Sequence, residues 1–312
     1  MGEFDFIEAI KTSFGGIGDT TIEGIGDDCA IIPISGEQSL VITTDMLIED
    51  VHFLRQSCTP EELGYKSLAV NLSDVASMGV RPIATLLSIS LPQESTGEWA
   101  QRFMEGYRAL SEQYGVALIG GDTTASKSGI AINVTAIGQG ANANIKRRCA
   151  AQEGDIIAVS GQLGISTQGL RDILNGNTTS DAAILHKLPT PRINEGAWLG
   201  TRSEVHAMMD LSDGLASDLR HILRASEVAA EIEVERIPAP YGVENAVCGG
   251  EDYELLMTIS AEAFESIRKE FVDKFSTPLT AVGRIVRAET DTITWYENGV
   301  PITPSWRGFT HF

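Results

Sequence analysis

The spacing of apolar and polar positions divides the chain into alternating strands and helices. Residues 39–45 (SLVITTD) are rich in β-formers and end in a polar cluster, which predicts a strand delivering Thr43, Thr44 and Asp45 to its end. Thr59-Pro60-Glu61-Glu62 is a helix start: Thr caps, Pro takes the first helical position and Glu62 completes a capping box. The predicted helix runs to about Met78 and stops at Gly79, with Pro82 beyond. It is mostly apolar, as expected of a helix buried on several sides. Ser67, Asn71 and Asp74 interrupt it at i, i+4 and i+7, one polar stripe that needs partners or a ligand.

Residues 83–91 read as a strand, and 98–114 as an amphipathic helix with Trp99, Phe103, Tyr107, Leu110 and Tyr114 at helical spacing and Gly115 as its stop. A short strand over 116–119 runs into Gly120-Gly121-Asp122-Thr123-Thr124, and 130–139 form another strand. The Gly/Asn-rich stretch 138–144 marks a linker. The expected division is therefore an N-terminal domain over 1–142 and a C-terminal domain over 143–312. The second half shows strands over 155–160, 207–211, 230–234, 253–258 (alternating) and 279–286, helices near 166–174 and 261–275, and a hairpin over 292–302 around Asn298-Gly299. Ser212 is the expected N-cap of a helix whose positions Leu215, Leu219, Ile222 and Leu223 share one face. Strands and helices mixed in both halves predict an α/β (α+β) protein of two mixed domains.

Charge and cysteine usage narrow the function classes. The chain has 312 residues, with 23 Lys+Arg against 43 Asp+Glu and a formal charge of −20. Its longest basic run is Lys146-Arg147-Arg148, so nucleic acid and anionic membrane are poor partners. The four cysteines are scattered, the N-terminus is acidic where a signal peptide is basic, and no apolar stretch is long enough to span a bilayer. A soluble, cytoplasmic protein is expected.

Several Asp residues share a context beside Gly, Ser or Thr: Asp27-Asp28 in GIGDDCA, Asp45 in TTD, Asp74 in NLSD, Asp122 in GGDTT, and Asp210 and Asp213 in DLSDG. Each alone reads first as turn or cap chemistry. The set does not, because caps require neither an Asp inside an apolar helix nor two Thr hydroxyls just before an Asp at a strand end. Carboxylates, hydroxyls and carbonyls are the ligands of a hard cation, and Mg²⁺ usually leaves positions for water and substrate phosphates. The five histidines show no HExxH pairing, which disfavours zinc, and there is no GxSxG elbow. GxxxxGK[ST] is also missing, so metal ions and the backbone at Gly120-Gly121 and Gly249-Gly250 would have to hold a nucleotide's phosphates.

GIGDDCAII, TTDMLIEDVHF, GYKSLAVNLSDVASMG, YGVALIGGDTT, DLSDGLASDL, GGEDYELL and WRGFTHF together resemble the thiamine-monophosphate kinases, of the superfamily that includes aminoimidazole ribonucleotide synthetase. The motifs occur in family order from residue 24 to 312. The resemblance implies transfer of the γ-phosphoryl of ATP to thiamine monophosphate, giving thiamine diphosphate, with several Mg²⁺ ions. It also implies an N-terminal domain that pairs in a homodimer, with nucleotide near the groove between domains. Carried over by position, Asp28, Thr43, Thr44, Asp45, Asp74, Asp122, Asp210 and Asp213 match metal positions. Gly121, Asp122, Arg148 and Ser212 match nucleotide positions, and His52, Glu251 and Phe309 match substrate positions. Met104 stands where many relatives carry Tyr.

The acceptor of such a reaction is a phosphate monoester with a second pKa of about 6, already mostly a dianion at neutral pH, so no general base is required. Individually, His52 and Arg148 read equally as surface groups, Trp306 and Phe309 as core anchors and Glu251 as a turn cap; thiamine's cationic thiazolium and flat pyrimidine suit an aromatic face and a carboxylate. Two other readings compete. Another ATP-using synthetase of the superfamily is one, although the selenophosphate type needs a reactive residue in a Gly-rich N-terminal segment and the carbamoyl dehydratase type a C-terminal Cys, where this chain ends FTHF. A non-catalytic Mg-nucleotide binder is the other, and it would be free to lose the acidic set that is intact here.

Overall fold

A computed structural model describes residues 2–14, 18–287 and 292–308. After helix α1 (Glu3–Phe14), the first half builds a five-stranded sheet from β1 (Ala30–Pro33), β2 (Gln38–Ile48), β3 (Arg81–Leu91), β4 (Ala117–Ala125) and β5 (Ala131–Ala141), in the order β1-β2-β5-β3-β4. Helices α2 (Pro60–Ser77) and α3 (Glu98–Tyr114) cover one face of it. The second half forms a seven-stranded sheet from β6 (Ile156–Ser160), β7 (Val205–Asp210), β8 (Ala229–Glu233), β9 (Leu255–Ile259), β10 (Leu279–Val286), β11 (Ile293–Glu297) and β12 (Val300–Ile302), in the order β12-β11-β8-β10-β6-β9-β7. Around it lie α4 (Ile165–Leu174), α5 (Asp181–Lys187), α6 (Ile193–Gly200), α7 (Leu215–Ser226), α8 (Val243–Cys248) and α9 (Phe264–Phe275).

Helix α2 is the spine between the two halves. Its start follows the capping box: the Glu62 N–H donates to Thr59 Oγ1 at 3.2 Å, and the Thr59 N–H donates back to Glu62 Oε2 at 2.7 Å. Leu68, Leu72, Val75 and Ala76 are fully buried. Against it lies α6, brought within backbone contact by glycine: a Cβ on Gly196 would sit 2.1 Å from the Ala76 carbonyl oxygen, and one on Gly200 2.1 Å from that of Gly79. Thr59→Ala should therefore lower global stability by about 1 kcal/mol, read as a shift of the urea midpoint without a change of slope.

Four expectations change on the fold. The strand read as 116–119 continues to Ala125, so Gly120-Gly121-Asp122 lies within the edge strand β4 and not in a loop after it. The stretch 138–144 is mostly the end of β5, which pairs with β2 as far as Ala141 opposite Gln38. Ser212 does not cap α7: the helix begins behind Gly214, and Asp218 accepts the Asp213 and Gly214 N–H groups at 3.1 and 3.0 Å. The alternation read over 253–258 is absent, because β9 lies between β6 and β7 and is buried at all five positions, with Leu256 in one core and Leu255, Met257 and Ile259 in another. The hairpin turn is as read, with φ of 51° at Asn298 and 77° at Gly299.

Candidate active site

The polar side chains of α2 organise a site between the sheets. Asp74 accepts from Thr43 Oγ1 of β2 at 2.6 Å, and Asn71 Oδ1 accepts the Asp45 N–H at 3.0 Å. On the same helix, Ser73 Oγ donates to Asp210 Oδ2 and Ser77 Oγ to Asp28 Oδ2, both at 2.6 Å. Ser67, the third member of the stripe, turns back to the Leu63 carbonyl at 2.7 Å. One helix thus sets the positions of carboxylates contributed by β2, by the end of β7 and by the 24–28 loop.

Asp28, Asp74 and Asp210 come together with one carboxylate oxygen each within 4.8 Å of one another. Three carboxyls this close cannot all ionise without a counter-charge. Burial, followed by the charges of Asp28 and Asp45, lifts the Asp210 carboxyl to about 8 despite its bond from Ser73. Burial and Asp45 raise Asp74 well above the usual range, and burial with Asp28 and Asp213 raises Asp45 to about 6. Burial and Asp28 lift Asp27 to about 7.

Among the described residues one cation, Arg148, reaches the cluster. The Arg148 guanidinium bonds Asp28, the Arg148 N–H donates to Asp27 Oδ2 at 3.0 Å, and the Arg148 carbonyl accepts from Ser226 Oγ at 2.7 Å. Burial disfavours its charge, but Asp28 and Asp27 more than offset this, so it stays protonated. Its Nε is buried without a hydrogen-bond partner among the described residues, with Asp27 Oδ1 3.8 Å away as an ion-pair partner.

A cavity of about 860 Å³ extends from this cluster, with Asp45, Asp74, Ser212 and Asp213 at one part of its wall and His52, Lys66, His186 and Glu251 at another. The Ile48 N–H donates to His52 Nδ1 at 2.9 Å, which leaves Nε2 to carry the proton of a neutral ring. Glu251 is held by its backbone, at φ 62° with its N–H on the Ser212 carbonyl at 2.8 Å. The two loops meet closely enough that a Cβ on Gly250 would lie 2.2 Å from that carbonyl oxygen. The Gly249 N–H is already spent on the Asn245 carbonyl.

Other expected residues lie apart. Thr44 faces away from the cluster, with Oγ1 bonded to Asn133, Val134 and Thr135. Gly121 and Asp122 sit on exposed β4: Asp45 pairs with Val134, Val134 with Leu87 and Leu87 with Gly121. Three strand spacings, about 14 Å, therefore separate Gly121 from Asp45 within one chain. Met104 packs against the first core, and Trp306 meets Trp295 edge-on at 5.0 Å. Phe309 lies outside the described residues. The sequence reading missed Ser73, Ser77 and Lys66, whose only signal was a place within a turn or two of Asp74 on a buried helix.

Residues 26–139 match the family model for the AIR synthase related protein N-terminal domain, and 152–295 that for its C-terminal domain. The chain is 39% identical to the thiamine-monophosphate kinase of Haemophilus influenzae, over 100% of this chain and 98% of that protein. It is 32% identical to that of Bacillus subtilis over the whole of both. Among solved structures, AaThiL complexed with AMPPCP and TMP superposes with a TM-score of 0.84 at 33% identity, covering 100% of this chain and 97% of that one. The HypE-HypF complex shares the fold, with a TM-score of 0.76 at 16% identity over 97% of this chain and 99% of that one. With two matching domain models and full-length relatives at 32% and 39% identity, the chain belongs to the thiamine-monophosphate kinase family of AIR synthase related proteins.

Proposed function

We propose that the chain transfers the γ-phosphoryl group of ATP to thiamine monophosphate, giving thiamine diphosphate and ADP as the final step of thiamine diphosphate formation. The observation that carries this reading is one continuous cavity with Asp74, the member of the three-carboxylate cluster that reaches it, beside Asp45 and Asp213 at one part of its wall and His52 and Glu251 at another. The donor set fits Mg²⁺: it is all oxygen, and the burial and mutual repulsion that raise Asp74 and Asp210 are what a bound cation would offset. Asp28, Asp74 and Asp210 would hold ions directly, with Thr43, Asp45 and Asp213 beside them and Thr44 and Asp122 joining only across the dimer interface proposed below. When bound, Mg²⁺ neutralises the two polyanions and aligns their oxygens.

The chain's own groups do the rest. Arg148 and Ser212, with Gly121 and Asp122, take the nucleotide; His52 meets the acceptor beside Glu251, Glu251 answers the positive charge of thiamine, and Phe309 joins it on the family pattern. The acceptor oxygen is already anionic, so attack is direct and in line, without a base or a phospho-enzyme. ATP consumption that depends strictly on thiamine monophosphate supports the assignment; consumption without it points to another synthetase of the superfamily, and none at all to a binding protein.

The active form in this reading is a homodimer, with domains dividing near residue 142. On the open face of the first sheet, Met46 is 57% and Leu118 42% exposed, and Ile119 on β4 is 60% exposed. Two strand edges carry no neighbouring strand among the described residues: β1 covers β2 only over Ser39–Ile42, and β4 ends its sheet with every residue exposed. Laying β4 of one copy along the 43–48 edge of the other closes both and carries Asp122 across to Thr44 and Asp45. Asp74→Asn and Asp122→Asn should each be inactive, and co-refolding the two should restore about a quarter of wild-type activity, since half the dimers then hold one intact site. No recovery means that Asp122 does not act across the interface. The cytoplasm is the expected compartment: all four cysteines are free thiols, and no helix among the described residues is long and apolar enough to cross a membrane.

A further inference from the structure

Lys66 is a buried ammonium in the cavity wall that phosphoryl transfer does not use. Its Nζ lies 3.0 Å from Glu251 Oε2, and its side chain is only 5% exposed. His186 Nδ1 lies 3.5 Å from the same oxygen and 2.8 Å from Ser166 Oγ. Burial and the charge of Lys66 pull the His186 imidazole down to about 4, so at neutral pH the histidine is uncharged and Lys66 is the cation in contact with Glu251. Burial alone would raise the Glu251 carboxyl, whereas Lys66, His186 and His52 together hold it below its usual range. Oε1 of Glu251 has no hydrogen bond to the described residues.

The helix places this pair relative to the acid cluster. Lys66, Val70 and Asp74 recur every fourth residue and all line the one cavity. Eight residues of helix separate Lys66 from Asp74 by about 12 Å. A molecule with a phosphate at one end and nitrogen heterocycles at the other fits that arrangement with its phosphate toward Asp74 and its rings toward Glu251.

We infer that Lys66 is a positioning residue for the heterocyclic end of the substrate: it pins Oε2 of Glu251 and leaves Oε1 for the N–H donors and positive charge of thiamine monophosphate. The inference rests on the reading of the cavity given above, with Glu251 at the thiamine end. Without Lys66 the carboxylate, 28% exposed in the cavity wall, loses the main charge that answers it, so its affinity for a proton rises and, once protonated, it turns from acceptor to donor.

The test compares full-length Lys66→Met, Lys66→Arg, Glu251→Gln and the double variant Lys66→Met/Glu251→Gln by steady-state kinetics with Mg-ATP and thiamine monophosphate. Lys66→Met should raise KM for thiamine monophosphate about tenfold or more, with kcat and the KM for ATP within about threefold of wild type. That rise should shrink between pH 6 and pH 9 as Glu251 regains its charge, a dependence which wild type and Glu251→Gln lack, and Lys66→Arg should recover much of the loss. If Lys66→Met does not fold, the double variant decides: a KM no higher than that of Glu251→Gln supports action through Glu251, and a further rise overturns it. An unchanged KM in Lys66→Met, with a raised one in Glu251→Gln, overturns the role of Lys66 alone. An unchanged KM in Glu251→Gln overturns the placement of Glu251 on which the inference rests.

Discussion

Asp210→Asn should cost at least about a thousandfold in turnover while raising the melting temperature of the metal-free protein at pH 8. The two effects have one origin. Asp210 is 2% exposed, bonded by Ser73 and grouped with Asp28 and Asp74, so its charge is unfavourable unless a cation answers it. Asparagine keeps the shape and an acceptor for Ser73 but removes a ligand charge, so Mg-dependent chemistry is lost and the repulsion goes with it. Asp74→Asn should behave in the same way. Thermal scans with and without Mg²⁺, beside turnover at saturating substrates, check this. A variant that is both inactive and destabilised without metal would make Asp210 a structural group, and one of near-normal rate would remove it from the metal site.

The second large effect is on the pH dependence of stability. In metal-free protein the carboxyls of Asp45, Asp27 and Asp210 are raised to about 6, 7 and 8. Between pH 4 and 8 these groups of the folded chain therefore bind protons that the unfolded chain has released; His186 and His221, lowered to about 4, act in the opposite sense below about pH 6.5, but the three carboxyls outweigh them and stability falls as pH rises. The melting temperature without metal should drop by about 5 °C or more from pH 5.5 to pH 8. Millimolar Mg²⁺ should reverse most of this at pH 8 and little of it at pH 5.5, because the ions displace the same protons. Proton release on Mg²⁺ binding, measured by calorimetry in buffers of different ionisation enthalpy, should grow as pH falls from 8 toward 6. The slope should flatten in Asp210→Asn, which separates the cluster from the general self-repulsion of a chain of charge −20. A slope unaffected by both Mg²⁺ and that substitution would assign the pH dependence to the surface.

Much of this was legible in the sequence wherever a local rule coincided with the global fold. The Thr59 capping box, the Asn298-Gly299 turn and the aromatic face of α3 stand as read, because each is decided within a few residues. Asp74 was legible for the opposite reason, as a charge in an apolar helix that only a partner could justify. What escaped were features set by packing between distant segments. Gly121 does not read as strand, yet a Cβ there would lie 1.7 Å from the Leu87 carbonyl oxygen, and it is this close approach that carries β4 on to Ala125. Ser73 and Ser77 pass for small helix-packing residues until Asp210 and Asp28 arrive from elsewhere in the chain. Nothing around Lys66 in the sequence sets it apart from other helix lysines, and its pairing with Glu251, 185 residues away, has no local signature. The short helices α5, α6 and α8 were not seen, since six to eight residues leave too few turns for a periodicity to register.

The most direct measurement is transfer of label from ATP carrying ¹⁸O in its γ-phosphoryl group, with the thiamine products weighed by mass spectrometry. Direct in-line transfer predicts thiamine diphosphate bearing the label in its terminal phosphoryl group, formed in equal amount to ADP and only when Mg²⁺ and thiamine monophosphate are both present. Labelled inorganic phosphate in place of labelled thiamine diphosphate, or ADP formed without thiamine monophosphate, would contradict it.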